Sequence, residues 1–234
     1  MTVVAAVDLG ATSGRIARVD LETRDVDVVH RFANAPIRDA GGGLRWDWES
    51  IVDQTRLGLS AALERGPLAS IGIDTWGVDY GLITTTGELV APPFSYRDDR
   101  TRTWRELARR VGAERLYRTT GIQLMAINTI FQLAVHDRDE LARAHRVLML
   151  PELMVHALAG TQFGETTSAG TSQLVDLATA DWSDELVDAA GIRRELLPAI
   201  APATTPAGAW RGVPVHLVGG HDTASVGARC HTLD

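Results

Sequence analysis

An apolar stretch that leads to an aspartate lies near each end of the chain. Residues 3–7 run directly into Asp8, and residues 213–218 lead through two glycines to His221 and Asp222. Continuous apolar runs of this length are typical of strands that are buried on both faces of a sheet covered by helices. The chain is therefore constrained to an α/β fold in which two strands each display a carboxylate close to where they end.

The stretches between these two strands complete the pattern. Alternation of polar and apolar residues predicts further strands, with one hairpin turn at 10–14 and another around 86–87. Apolar residues spaced three and four apart predict helices, one of which opens on Pro151 and closes before Gly160. The additional strands are predicted at 15–20, 26–32, 70–73 and 147–150, and the helices at 48–65, 104–111, 128–135 and 151–159. This order predicts an α/β domain with a mixed β-sheet flanked by helices, in a ribonuclease H-like (actin-like ATPase) layout.

The composition excludes several classes of function. The net charge of −7 argues against nucleic acid or an anionic membrane as the main partner. All 23 basic residues are arginine, which excludes a Walker A loop, a Schiff-base lysine and a lysine general base. The single cysteine, Cys230, permits no internal disulfide. Because no apolar stretch reaches about 18 residues, we expect a cytoplasmic protein.

The turn after the first strand has the composition of an anion-binding loop. It offers backbone N–H groups and two hydroxyls between Gly10 and Gly14, and Asp8 beside it would hold a Mg²⁺ ion through water. Two strand-end aspartates, one of them next to such a turn, suggest phosphoryl transfer. The alternative is an ordinary hairpin turn whose aspartate merely ends the strand.

The segment from Asp74 to Asp79 combines two carboxylates, a hydroxyl and the Trp76 indole at the end of a predicted strand. Polyols are bound by such sets, since carboxylates accept hydroxyl protons and an aromatic face covers the C–H side. The alternative is a loop in which Trp76 fills a gap in the core and the aspartates cap turns.

His221 and Asp222 carry the clearest chemistry of the chain. A carboxylate at the start of a helix would take the proton of a sugar hydroxyl during phosphoryl transfer, as an aspartate does in protein kinases, while His221 hydrogen-bonds the sugar. The alternative is Asp222 as a plain helix N-cap. The seven histidines show no ligand-like spacing with a carboxylate, so a histidine metal site is not expected.

Taken together, these segments resemble the FGGY family of carbohydrate kinases, and within it the kinases of L-rhamnulose. The resemblance spans essentially the whole chain, and its diagnostic motifs lie at 6–15, 72–79, 96–101, 121–123 and 220–224. It implies transfer of a phosphoryl group from ATP, with Mg²⁺, to give L-rhamnulose 1-phosphate. Asp222 would then be the proton acceptor and Asp8 would position the metal. The resemblance implies that Ala11, Thr12, Ser13, Gly14 and Arg15 approach the ATP phosphates, that Gly77, His221, Asp222 and Thr223 contact the ketose, and that Asp74, Trp76 and Gln123 line the sugar pocket.

The length departs from the family pattern. Family members have two actin-like domains, so residues 1–234 are expected to form the N-terminal, sugar-binding domain without the C-terminal nucleotide-binding domain. We therefore expect little or no kinase activity from this chain alone, and self-association through the bare domain interface. The alternatives are a kinase of another ketose, such as L-fuculose or L-xylulose, and a non-catalytic sugar-binding module.

Overall fold

The computed structural model describes residues 2–223, so Ala224 and Cys230 lie outside the described part. The strands are β1 (Val3–Leu9), β2 (Ser13–Asp20), β3 (Val26–Ala33), β4 (Pro36–Arg38), β5 (Leu44–Trp46), β6 (Ile71–Thr75), β7 (Tyr80–Ile83), β8 (Arg146–Met149), β9 (Gly164–Glu165), β10 (Val175–Asp176), β11 (Asp181–Trp182), β12 (Ile200–Ala201), β13 (Pro206–Trp210) and β14 (Val213–His216). The helices are α1 (Trp48–Glu64), α2 (Trp104–Val111), α3 (Ala113–Thr120), α4 (Thr129–Ala134), α5 (Arg138–Arg143), α6 (Leu150–Ala159), α7 (Thr166–Thr171) and α8 (Asp184–Ala190). Two short 3₁₀ helices cover Asp99–Thr101 and Arg194–Leu196.

A six-stranded mixed sheet forms the centre of the molecule, in the order β13-β14-β6-β1-β2-β3. Strands β1, β6 and β14 are parallel, whereas β1, β2 and β3 form an antiparallel meander. The turn at 10–14 therefore makes the predicted hairpin. Because the carboxyl ends of parallel strands meet at one edge of a sheet, the residues that follow β1, β6 and β14 are brought together.

One face of this sheet carries the main hydrophobic core. The inward residues of β1 and β6, such as Val7 and Ile73, pack in one cluster with Leu59 of α1 and Met154 of α6. Along β1, buried residues alternate with half-buried ones. The prediction that residues 3–7 are buried on both faces is therefore wrong within the described residues, because α1 and α6 pack against the same face.

A second hydrophobic cluster is built by the helical region between β7 and residue 200. It contains Leu116 of α3, Phe131 of α4 and Leu186 of α8, among others. Strand β7 pairs with β8, while the predicted hairpin at 86–87 is reduced to a turn with one bridge between Ile83 and Leu89. Among residues 2–223, no helix has both the length and the apolar character that crossing a membrane requires.

Candidate active site

Three aspartates converge at the carboxyl ends of the parallel strands. Asp8 and Asp74 occupy paired positions on β1 and β6. The Thr75 N–H donates to the Gly220 carbonyl at 2.9 Å, which brings the segment carrying Asp222 alongside β6. Burial, together with the nearby charges of Asp8 and Asp222, raises the pKa of Asp74 to about 7. This edge of the sheet therefore concentrates negative charge, which favours a bound cation.

The turn between β1 and β2 lies at the same edge. The Gly10 N–H donates to the Ser13 carbonyl at 2.9 Å, and the Asn34 side-chain amide donates to the Gly10 carbonyl at 2.9 Å. Arg15 donates from Nε to Oδ2 of Asp8 at 2.5 Å. The residues predicted to approach the ATP phosphates, which are Ala11, Thr12, Ser13, Gly14 and Arg15, thus form this turn and the start of β2. Thr12, Ser13 and Arg15 are exposed.

The donor set at this edge fits a hydrated Mg²⁺ ion. Mg²⁺ usually keeps several waters and is bound by one or two carboxylates together with phosphate oxygens. Within residues 2–223, no group of three or more His, Cys, Asp or Glu side chains is arranged to hold a metal ion by itself. Asp8 and Asp74 are the carboxylates available for such partial coordination, and the raised pKa of Asp74 reflects its burial first and the nearby negative charges second.

A cavity of about 390 Å³ adjoins Asp222. Its volume falls in the range of roughly 300–1,000 Å³ that is typical of small-molecule sites. Four residues predicted from the sequence line it together: Trp76, Gly77, His221 and Asp222. The other lining residues are Val78, Tyr96, Ile122, Met125, Ile127, Asn128 and Thr171. A larger cavity of about 710 Å³ lies between α1 and α6 and contains none of the predicted site residues.

Three predicted sugar-site residues are not among those lining this cavity. Asp74 lies beside Asp8 at the sheet edge. Gln123 follows the lining residue Ile122, and its backbone carbonyl accepts a hydrogen bond from the Asn128 side chain. Thr223 bonds to Asp222, with 2.7 Å between its N–H and Oδ1. The roles assigned to these three residues by resemblance stay predictions.

Gly77 is packed so closely that a larger residue would have to displace its neighbours. A Cβ atom at this position would lie 2.9 Å from His221 Cδ2 and 3.1 Å from Thr171 Cγ2. The next residue, Val78, has a φ of 68°, an unfavourable conformation for a β-branched side chain. Its N–H donates to the Thr171 hydroxyl at 3.2 Å, and its carbonyl accepts from the Thr129 hydroxyl at 2.7 Å. Contacts on both sides therefore hold a strained backbone at the cavity, as is common at functional sites.

Asp79 supports the cavity from the core. It is fully buried, and its carboxylate accepts from the Trp46 indole N–H at 2.7 Å, the Trp76 indole N–H at 3.0 Å and the Tyr96 backbone N–H at 3.1 Å. Gln132 donates to the other oxygen at 3.1 Å. Burial raises the pKa of Asp79, and these donors act against the rise. The interpretation of both segment carboxylates as polyol ligands is therefore wrong for Asp79, which orients two of the lining residues.

Asp222 lies at the mouth of the cavity, with its side chain about half exposed at 51%. Its Oδ1 accepts from the Thr223 N–H at 2.7 Å and lies 3.3 Å from His221 Nε2. Asp222 thus borders the cavity, while its bond to the adjacent Thr223 N–H is not the bond to the N–H two or three positions further on that a helix N-cap makes.

Several lining residues carried no separate signal in the sequence. Thr171 lies almost a hundred positions from Gly77 in a stretch of small polar residues, and Asn128 was expected only to begin a helix. Ile122 belongs to a motif recognised by resemblance, but Met125 and Ile127 follow it in a loop without periodicity. These residues reach the cavity through tertiary packing.

Comparison with known proteins gives a consistent result. Residues 3–226 match the model of the FGGY family of carbohydrate kinases, N-terminal domain. A curated relative, the rhamnulokinase of Enterococcus faecalis, is 36% identical over 235 residues, which cover 94% of this chain and 47% of that protein. The chain therefore spans about half the length of this relative.

Solved structures show the same fold. Ligand-bound xylulose kinase from Lactobacillus acidophilus superposes with a TM-score of 0.83 at 20% identity, covering 94% of this chain and 48% of the other. Plasmodium falciparum glycerol kinase with ADP gives a TM-score of 0.77 at 14% identity, covering 93% of this chain and 48% of the other. The predicted α/β, actin-like ATPase fold is thus confirmed.

Proposed function

The chain belongs to the FGGY family of carbohydrate kinases, and we propose that it is the sugar-binding domain of a kinase that phosphorylates L-rhamnulose with ATP. The observation that carries this proposal is the cavity in which Trp76, Gly77 and His221 meet the carboxylate of Asp222. It combines an aromatic surface, hydrogen-bonding groups and a base at one place, which is what phosphorylation of a sugar hydroxyl requires.

The lining of the cavity supports a 6-deoxy ketose as the substrate. The Trp76 indole N–H is already bonded to Asp79, so the cavity receives the apolar surface of the ring. Ile122, Met125 and Ile127 add an apolar side without hydroxyl or charged groups. Such a surface suits a methyl group, which L-rhamnulose and L-fuculose carry at C6 and L-xylulose lacks. The 36% identity to a rhamnulokinase favours L-rhamnulose between the two 6-deoxy sugars.

Asp222 acts as the general base in this proposal. As the ketose O1 forms a bond to the γ-phosphorus of ATP, the bond from that phosphorus to the β,γ-bridging oxygen breaks and ADP leaves. The proton of the O1 hydroxyl passes to the Asp222 carboxylate, which borders the cavity and is half exposed. General-base assistance of this kind contributes roughly 10²–10⁴-fold to a rate.

The phosphate end of the reaction falls at the sheet edge. A bound Mg²⁺ ion would neutralise charge on the phosphate oxygens, and Asp8 and Asp74 would hold it in part through water. The turn at 10–14 would contribute N–H and hydroxyl groups, and Arg15, held by Asp8 at 2.5 Å, would face the same oxygens. All of these groups belong to β1, β6, the turn that follows β1 and the start of β2.

We propose further that residues 1–234 supply the sugar site and only part of the ATP site. The relative that the chain matches is about twice as long, and this chain covers 47% of it. Phosphoryl transfer depends on positioning and on the exclusion of water by closure of a cleft. Little turnover is therefore expected from these residues alone, whereas ketose binding is expected to remain.

The test is to titrate the purified chain with L-rhamnulose, L-fuculose and L-xylulose, and to measure ADP formation with each. We expect saturable binding that is tightest for L-rhamnulose, together with a rate of ADP formation far below the 1–100 s⁻¹ that is typical of kinases. Tighter binding of L-xylulose than of L-rhamnulose would contradict the proposed substrate. Turnover in the kinase range would contradict the proposal that activity needs further residues.

A further inference from the structure

A buried glutamate lies behind the segment that carries Asp222. Glu165 is only 1% exposed, and its Oε2 accepts a hydrogen bond from the Gly220 N–H at 3.0 Å. Gly220 immediately precedes His221, and its carbonyl is bonded to Thr75 of β6. The Glu165 side chain therefore fixes the position at which the chain leaves the sheet toward the cavity, although it is not among the lining residues.

The same oxygen caps helix α7. It accepts from the Thr167 N–H at 2.9 Å and from the Ser168 N–H at 3.2 Å. Glutamate is not one of the preferred N-cap residues, which are Asn, Asp, Ser, Thr and Gly. A cap alone would be made equally well by the shorter aspartate. The additional methylene of Glu165 is explained by its second partner, because it lets one oxygen meet both the α7 amides and the Gly220 N–H.

The far end of α7 reaches the cavity. Thr171, the last residue of the helix, accepts a hydrogen bond from the Val78 N–H at 3.2 Å. Its methyl group also lies against Gly77. The two ends of this short helix are thus fixed to two different sides of the cavity, one through Glu165 and Gly220 and the other through Thr171 and Val78.

Glu165 is itself held from behind by Glu152. Oε1 of Glu152 accepts from the Glu165 backbone N–H at 3.1 Å and from the Ser168 hydroxyl at 2.5 Å. Both glutamates are buried, so their positions are set by the protein and not by solvent. Glu165 consequently has little freedom to follow a displaced Gly220.

We propose that Glu165 is a positioning residue for the sugar site, acting through Gly220 on His221 and Asp222 and through α7 on Gly77 and Val78. This inference rests on the proposed function, because it assigns Glu165 to the binding of the ketose. Glu165 does not touch the substrate in this account. It sets the distance between the two sides of the cavity that contact the substrate.

The variant Glu165→Asp separates positioning from capping. Aspartate keeps an N-cap carboxylate for α7, but its side chain is shorter by one bond of roughly 1.5 Å, so the Gly220 N–H loses its acceptor. We expect an unchanged circular dichroism spectrum, a thermal midpoint near that of the wild type, and an L-rhamnulose affinity at least tenfold lower by calorimetry. Glu165→Gln, which keeps the length and one acceptor oxygen, should recover most of the affinity.

A matched control is the reverse exchange at another helix start. Asp137 caps α5 by accepting from the Glu140 N–H at 2.9 Å, and it makes no contact with the cavity. Asp137→Glu should leave L-rhamnulose affinity unchanged. If Glu165→Asp also bound L-rhamnulose with wild-type affinity, the positioning role would be overturned.

Two further measurements test the inference if the Glu165 variants fail to fold or if the chain binds no ketose. If the Glu165 variants fail to fold, Thr171→Val removes the hydroxyl that accepts from Val78. A tenfold loss of affinity in that variant supports the coupling through α7, and wild-type affinity overturns it.

If the wild-type chain binds no ketose, the proposed function fails, and amide hydrogen exchange still tests the contact between Glu165 and the Gly220 N–H. Exchange at Gly220 should be faster in Glu165→Asp than in the wild type, and equal rates would overturn the inference.

Discussion

Asp8 and Asp74 lie at paired positions of two adjacent parallel strands, so their carboxylates project from the same face of the sheet. Burial, with the charges of Asp8 and Asp222, raises the pKa of Asp74 to about 7. A sheet edge that brings three carboxylates together is unfavourable without a counter-charge. This relationship is the reason that we propose β1 and β6, next to the cavity proposed for the sugar, as the phosphate and metal end of the reaction.

Replacement of the proposed base is expected to affect turnover more than binding. Asp222→Asn keeps the shape of the side chain and its hydrogen bond from the Thr223 N–H, but it removes the proton acceptor. In a form of the protein that has kinase activity, kcat should fall by roughly 10²–10⁴-fold, with a small change in KM for L-rhamnulose. Asp137→Asn is the matched control, since Asn and Asp cap helices equally well. A kcat within a few-fold of the wild type would exclude Asp222 as the base.

A methyl group at Gly77 is expected to abolish tight ketose binding. The added Cβ would lie 2.9 Å from His221 Cδ2, so His221 must move away from its place in the cavity. L-rhamnulose affinity, measured by calorimetry, should drop by at least about tenfold, the effect of 1.4 kcal/mol. Gly170→Ala is the control, because a Cβ there meets nothing within 4 Å and alanine suits a helix. Equal affinities for the two variants would show that the close packing at Gly77 does not matter.

Asp79 is expected to contribute to stability more than to chemistry. Asp79→Asn would turn an NH₂ group toward buried donors, either the Trp46 and Trp76 indoles or the Gln132 side chain. We expect the free energy of unfolding, from urea titration, to fall by about 2–4 kcal/mol. The control Asp27→Asn removes an exposed ion pair with Arg65 and should cost less than about 1 kcal/mol. A similar small loss for Asp79→Asn would contradict its structural role.

The pH dependence of stability is expected to depend on Glu152. Burial raises the pKa of its carboxyl to about 8, from an ordinary value of 4.5. Between these values the folded protein holds a proton that the unfolded chain has lost, so stability falls as the pH rises from 5 to 8. Glu152→Gln removes this group, and its free energy of unfolding should fall less over that range, by up to about 1.4 kcal/mol per pH unit. If the free energy of unfolding changed with pH in the same way for both proteins, the raised pKa of Glu152 would be contradicted.

The central sheet and the main helices were predictable because their signals are local. Strand β2 alternates over 15–20, and α6 carries Pro151 in its first turn and is followed by Gly160, which has a φ of 77°. The pairing of β7 with β8 was not predictable in this way. Its partner residues, such as Tyr80 and Met149, are far apart in the sequence, and no periodicity encodes which strand lies beside which.

The candidate site was predictable only in part, for the same physical reason. His221 and Asp222 were identified from a motif that follows an apolar strand, whereas Gly77 was identified only through the resemblance to a known family. Asp79 belonged to such a motif, yet its burial depends on donors from Trp46 and Gln132 in distant segments. Glu165 gave no signal at all, because both its cap and its bond to Gly220 exist only in the folded chain.

The central claim is that the cavity beside Asp222 binds a 6-deoxy ketose, and calorimetric titration with L-rhamnulose and L-fructose tests it most directly. These two sugars differ only in that L-fructose carries a hydroxyl at C6. Because Ile122, Met125 and Ile127 line the cavity, we predict one binding site per chain for L-rhamnulose and an affinity for L-fructose at least about tenfold lower. Equal affinities for the two sugars, or no binding of L-rhamnulose, would contradict the account.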